Sequence, residues 1–144
     1  MTNGFSVTLV NDDKVKKQLQ ELSRRAKRPE EAMKLVANAM RRDVLQHFDA
    51  ERGENGSWKD LKPATWKWKQ AHGYTRKLQN TGQLRRNNTL ISGNDWAGVE
   101  NTLSYARTQN YGSNKVPARE FFWLSKQAMQ HIVGLVKNYI LGGL

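Results

Sequence analysis

The sequence predicts an α+β fold: three principal helices packed on a small antiparallel sheet, with long loops. Three observations predict it. Three stretches repeat apolar residues at helical spacing, two short alternating segments flank a turn signal, and the connectors at 52–64 and 107–118 are rich in Gly, Asn, Ser and Pro. The 144 residues fit one domain that buries one core, so a second independent domain is not expected.

Phe5, Val7 and Leu9 alternate with Ser6 and Thr8, the period of a short strand. Asn11, Asp12 and Asp13 offer helix caps, and Val15, Leu19, Leu22 and Ala26 then recur at helical spacing. A first helix is expected from about Asp13 to Ala26. Pro29 suits the first turn of a second helix, and Glu30 and Glu31 suit the positive end of its dipole. Met33, Val36, Ala37, Met40, Val44 and Phe48 form its apolar stripe, which should stop near Glu51, ahead of Gly53 and Gly56.

Residues 52–64 read as loop, with Trp58 and Leu61 inside it. Thr65 is expected to cap a short helix through Trp66, Trp68 and Ala71 that Gly73 ends. Gly82 marks a turn or a helix end. Thr89, Leu90 and Ile91 make a strand, Ser92-Gly93-Asn94-Asp95 a turn, and Trp96 to Glu100 the returning strand. Tyr105 and Ala106 begin a short helix or turn, and a loop from Tyr111 to Lys115 closes at Pro117. The last helix should begin near Ser125, bury Ala128, Ile132, Leu135, Val136, Tyr139 and Ile140, and end at Gly142 and Gly143.

The chain has no cysteine, which excludes disulfides, zinc–thiolate sites, iron–sulfur clusters and a Cys nucleophile. Its net charge is +11, divided as +5 over residues 1–72 and +6 over 73–144. The excess is therefore a basic surface and not a basic tail. Such a surface can face nucleic acid, an acidic protein or an acidic surface of its own assembly. No segment resembles a signal peptide, and the longest apolar stretch, near Phe121–Leu124, is too short to span a bilayer. A soluble protein, intracellular when made and without a membrane partner, is expected.

Asp43 and His47 lie four apart on one helix face, with Glu51 as a third potential metal ligand. A solvated face with polar i,i+4 pairs explains the same spacing and is preferred. No G-x-S-x-G, S-x-x-K or H-E-x-x-H motif is present. Gly53 to Ser57 lacks the lysine of a phosphate loop, and Asp12/Asp13 and Glu30/Glu31 are explained by capping. No enzyme, cofactor or metal is expected. Trp66-Lys67-Trp68-Lys69, preceded by Trp58-Lys59, interleaves aromatics with cations, as single-stranded nucleic-acid sites do. An amphipathic helix that buries Trp66 or Trp68 and solvates the lysines is the preferred reading. Arg85 and Arg86 form another basic cluster that could meet nucleic acid or an acidic partner.

Four segments in order carry a resemblance. Gly56-Ser57-Trp58-Lys59-Asp60-Leu61-Lys62-Pro63-Ala64-Thr65 is followed by Leu78-Gln79-Asn80-Thr81-Gly82-Gln83-Leu84-Arg85-Arg86. Tyr105-Ala106-Arg107-Thr108-Gln109-Asn110-Tyr111-Gly112 comes next, then Pro117-Ala118-Arg119-Glu120-Phe121-Phe122-Trp123-Leu124-Ser125. In this order they resemble the phage virion morphogenesis family, a tail-completion group. The chain departs from the family pattern at Gln109, where histidine is common, and at Asn110, where glutamine is. Glu120 and Trp123 stand in place of the usual Pro and Gly.

The resemblance implies a structural role at the tail terminus or head–tail junction, with no reaction. It implies a ring-like homo-oligomer, in the simplest case a hexamer, with other tail or head-completion proteins as partners and DNA as a potential occupant of the lumen. The protein would pass from the host cytoplasm during assembly into the tail or neck of the virion. Trp58, Leu61, Thr81, Gly82, Leu84, Tyr105, Ala106, Gln109, Gly112, Pro117, Arg119, Phe121, Phe122 and Trp123 become candidate interface residues. Phe121, Phe122 and Trp123 are consecutive, so no single helix or strand buries all three in one core, and one of them should face a loop or a neighbouring subunit. The alternative is a basic nucleic-acid-binding module built on Trp66, Lys67, Trp68, Lys69, Arg85 and Arg86.

Overall fold

One long helix organises the molecule. The computed structural model describes residues 7–8, 13–79 and 82–142. The elements run β1 (Val7–Thr8), α1 (Asp13–Arg25), α2 (Pro29–Ala50), β2 (Arg52–Gly53), β3 (Gly56–Ser57), α3 (Pro63–Ala71), α4 (Gln83–Arg86), β4 (Thr89–Ser92), β5 (Ala97–Asn101), α5 (Ala106–Tyr111) and α6 (Lys126–Gly142). The fold is α+β, with α1, α2 and α6 as the principal helices.

α2 begins with Pro29, whose missing N–H costs nothing in a first turn, and with Glu30 and Glu31 beside the positive end of the dipole. Its buried residues, from Ala32 to Phe48, cover half the helix circumference, wider than the stripe the sequence shows. That width follows from its position: α2 packs on β4 and β5 and also meets α1 and α6. The sheet is antiparallel in the order β1-β5-β4, with Val7 opposite Asn101 and Leu90 opposite Val99. β5 is central and buried, whereas β4 is an edge. Leu19, Leu22, Met33, Val36, Met40, Val44, Phe48, Val99, Phe121 and Ile132 meet in one core. Full burial of one such large side chain stabilises by about 1.5–3 kcal/mol.

Several boundaries differ from the sequence expectation. The 52–64 segment is not all loop: β2 and β3 pair as a small ribbon, with Arg52 opposite Ser57. α2 stops at Glu51 through a left-handed residue (φ 53°), not through a glycine. The conformation is held because Glu51 carries an unusual load. Its N–H donates to the His47 carbonyl, its own carbonyl accepts from Trp58 N–H at 2.8 Å, and its carboxylate accepts from Lys77 N–H at 2.9 Å. α3 starts at Pro63 and not after Thr65, since Pro63 is preorganised for the first turn. Gly82, at φ 74°, starts a helix (α4) and does not end one. α5 fills the first half of the expected 107–118 loop. Phe5, Ser6, Leu9 and the caps Asn11 and Asp12 lie outside the described residues, as do Thr81 and Gly143.

Candidate functional site

Three of the four segments singled out by sequence are tied to one another by hydrogen bonds, and the second joins them through the adjacent Lys77. Trp58, buried against Phe48 in an edge-to-face contact, donates its indole N–H to the Glu120 carbonyl at 2.7 Å. Arg119 is buried and returns the link: its Nε donates to the Lys59 carbonyl at 2.9 Å and an Nη to the Asp60 carbonyl at 3.1 Å. Arg119 N–H also donates to the Gln109 carbonyl at 2.8 Å. Asn110 Oδ1 accepts two backbone N–H groups, from Phe121 and Phe122, both at 3.0 Å. Lys77, beside the second segment, donates to the Trp58 carbonyl at 3.3 Å. Each bond answers a backbone group that an irregular, buried chain would otherwise leave unpaired.

A second polar cluster fixes α4. Asn101 Nδ2 donates to the Leu84 carbonyl at 2.8 Å and to Asn88 Oδ1 at 3.2 Å, while Asn88 Nδ2 donates to the Leu84 and Arg85 carbonyls. Both asparagines are fully buried, and together they hold Leu84 against the sheet. Gly112 closes the other side. At φ 79° it favours glycine, and a Cβ there would stand 2.7 Å from the Ala118 nitrogen and 3.0 Å from the Val116 carbonyl. The loop beyond it is a turn in which Ser113 N–H donates to the Val116 carbonyl and Ser113 Oγ accepts from Lys115 and Val116 N–H groups.

Together these segments enclose a cleft of about 960 Å³. Leu61, Leu78, Leu84, Gln109, Val116, Pro117, Lys69 and Arg119 are its buried or half-buried lining, and Lys59, Lys62, Lys115 and Tyr105 are exposed around it. Five cations face one carboxylate, Asp60. Asp60 accepts from the Trp66 indole N–H and from Leu61 N–H, both at 2.8 Å, and Lys77 Nζ stands 3.9 Å away. The Trp66 bond first, then the Leu61 bond, holds its pKa below the usual carboxylate value. Burial pushes the Lys69 and Arg119 pKa values down. Gln109 Oε1 is buried and has no hydrogen-bond partner among the described residues.

The remaining candidates scatter. Ala106 is buried at the start of α5, and Phe121 and Phe122 are both in the core. They can be because residues 112–125 are neither helix nor strand, so neighbouring side chains need not diverge. Trp123 is half-buried, stacked on His47 at 3.7 Å, with its indole N–H turned to the Arg52 carbonyl in the β2–β3 ribbon. The Trp-Lys segment departs from the preferred reading of a buried tryptophan with solvated lysines. Lys69 is the residue buried, 4% exposed, and donates to the Arg76 carbonyl. Trp66 is half-buried against Asp60, and Trp68 is 49% exposed, stacked on His72 at 4.1 Å. Lys67 is exposed. Arg85 pairs with Asp49 at 3.2 Å, and Arg86 lies over Gly82.

Asp43 and His47 are not on a solvated face; both are buried. Asp43 accepts from Ser125 N–H at 2.8 Å and from Ser125 Oγ–H at 2.7 Å, and Ser125 Oγ in turn accepts from Ala128 N–H, capping α6. His47 Nε2 lies 2.9 Å from the Trp123 carbonyl and 3.2 Å from Asp43 Oδ2. Both neighbours accept, so Nε2 carries the proton. Burial alone would raise the Asp43 pKa; the His47 bond and the two Ser125 bonds outweigh it and hold the pKa below the usual carboxylate value. Glu51 turns instead to Lys77 and Arg76, and no group of three potential ligands gathers among the described residues. Ser125, His47 and Asp43 share the residue types of a hydrolytic triad but not its order. The aspartate sits between the other two, so the Ser125 hydroxyl meets the Asp43 carboxylate and not the imidazole.

A family model described as the phage virion morphogenesis family matches residues 10–141. The chain belongs to the phage virion morphogenesis family. No match was found among curated proteins or among solved structures. For a member of this family, a role in building the phage virion follows from membership. Among the described residues, no helix is long and apolar enough to cross a membrane.

Of the residues singled out by resemblance, Leu61, Gly82, Leu84, Tyr105, Gln109, Pro117 and Arg119 line the cleft. The sequence reading did not single out the buried Asn88 and Asn101, whose residue type looks like surface, and it did not expect Lys69 to be buried. Asn110 stood out only as a departure from the family pattern, and its carboxamide is what pins the Phe121–Phe122 backbone.

Proposed function

We propose that this chain is a structural subunit of the tail terminus or the head–tail junction, working as copies that close into a ring, with no reaction of its own. The cleft is the seat of a tail or head-completion partner. One observation carries the reading: three separated segments are cross-tied by side-chain-to-backbone bonds, and together with the second segment they build a cleft with cations at its mouth. Such construction fits a preformed docking site on a rigid frame. Heterologous contacts that repeat around an axis close into rings, and a phage tail supplies that axis. The protein would assemble in the host cytoplasm and remain in the tail or neck, its basic surface turned to DNA in the lumen or to an acidic neighbour.

The test is mass in solution, by light scattering after size exclusion over a concentration series, alone and with tail and neck proteins of the same phage. A discrete ring-sized species, alone or with a partner, is the expected result. A monomer that no tail or neck protein captures would overturn the reading. The nucleic-acid alternative is weakened by geometry, because Trp66 is tied to Asp60 and Lys69 is buried, leaving Lys67 and Trp68 as the exposed residues of that segment.

A further inference from the structure

The cleft has two chemically distinct zones. Half-buried Leu61, Leu78, Val116 and Pro117 line its interior together with buried Leu84, Lys69 and Arg119, while Lys59, Lys62 and Lys115 stand exposed at its mouth. The one acidic side chain there, Asp60, is already engaged by Trp66, Leu61 N–H and Lys77. The three exposed lysines therefore face solvent without a cleft carboxylate to balance them. Gln109 adds an independent observation: a buried carboxamide oxygen in the lining, without a donor among the described residues.

We infer that the cleft binds an extended acidic peptide segment of a partner protein, one with an apolar centre flanked by carboxylates. The apolar residues enter among Leu61, Leu84 and Val116, and the carboxylates meet Lys62 and Lys115 at the mouth. Concavity favours a peptide over duplex DNA. A duplex is met by elements that enter its grooves or track its phosphates, and an apolar-lined hollow does neither. A peptide gains from both zones, with main-chain hydrogen bonding supplying register. The inference rests on the docking reading given above for the cleft, and it names the chemistry of the docked partner.

The probe is a synthetic peptide with a Leu-Val-Leu centre and glutamates on each side. It is compared with the same peptide carrying glutamines and with a duplex DNA oligonucleotide. Binding is followed by amide NMR shifts of the full chain. The acidic peptide is expected to bind, to weaken as salt rises, and to shift residues around Leu61, Leu84, Gln109 and Lys115. Replacing both Lys62→Ala and Lys115→Ala should weaken it by roughly threefold to tenfold, the worth of two exposed charge pairs. Lys137→Ala, on α6, should not.

Equal affinity for the glutamine peptide overturns the inference. So does an effect of Lys137→Ala as large as that of the cleft pair, or DNA shifting the same cleft residues more tightly. The peptide assay does not require oligomers: a ring that ignores the peptide sinks this inference alone, and a monomer that binds it sinks only the ring.

Discussion

The helical core around α2 and the cleft beside it are neighbours held by different forces. Around α2, apolar side chains from α1, α6 and the sheet exclude water, and the hydrogen bonds are the repetitive ones of helices and strands. Around the cleft the backbone is mostly irregular, and single side chains such as Asn110, Arg119 and Asn101 answer its carbonyls and N–H groups one at a time. Burial is additive and tolerant of small changes in shape; side-chain-to-backbone bonding is specific and leaves orphans when one member is lost. The core should thus set how stable the protein is, and the cleft framework should set whether one surface keeps a fixed shape.

Substitutions can break that division. Phe48→Ala opens a cavity where α2 meets Trp58 and Phe121, and should lower unfolding free energy by about 3–5 kcal/mol in urea denaturation. Asn110→Leu keeps an apolar group of similar size but strands the Phe121 and Phe122 N–H groups, for an expected loss of about 2–4 kcal/mol. If Asn110→Leu proved harmless, the specific bonding assigned to the cleft framework would be wrong. Gly112→Ala should cost about 1–3 kcal/mol and shift amide resonances of residues 112–118, because φ 79° and the nearby Ala118 backbone both oppose a Cβ.

Acidity sharpens the comparison on the other side of α2. The Asp43 pKa is lowered in the folded protein, so its contribution is complete above the unfolded carboxylate value of about 3.9 and is lost as pH falls through the folded value. Asp43→Asn should flatten the acid limb of the stability–pH curve, measured by thermal melts at stepped pH. An unchanged limb would mean that Asp43 is not the group whose protonation loosens the start of α6. The smallest effect is expected at the cleft mouth: Lys115→Ala should alter stability by no more than about 0.5 kcal/mol, since its side chain is exposed.

The same division explains what was legible in the sequence. Helical periodicity exposed α1, α2 and α6 because their partners are spaced along one face. The β4–β5 hairpin announced itself through its turn residues. Asp43 and His47 were not legible, since a carboxylate and an imidazole four apart look alike whether water or a distant loop receives them. Lys69 misled for a related reason: its charge says surface, and the Arg76 carbonyl, brought round by the turn after α3, helps make its burial tolerable. Trp58 sits among glycines and gives no local hint that Glu120 holds it. The resemblance named the segments that line the cleft, but not the cleft, whose chemistry became readable only when the segments met.

The cap on α6 has a consequence for the order of events in time. The first turn of that helix is fixed by Asp43, 82 positions earlier in the chain. Local sequence can start a helix near Ser125, but the carboxylate that steadies its cap arrives only when α2 is folded and docked. Closing so long a loop is slow compared with forming a helix. On the ribosome, α2 is synthesised early and waits for its partner, and the final helix locks only after nearly the whole chain has emerged. Residues 123–142 as an isolated peptide should accordingly show a frayed first turn by NMR, whereas the same turn in the intact protein should resist hydrogen exchange for as long as Asp43 remains ionised.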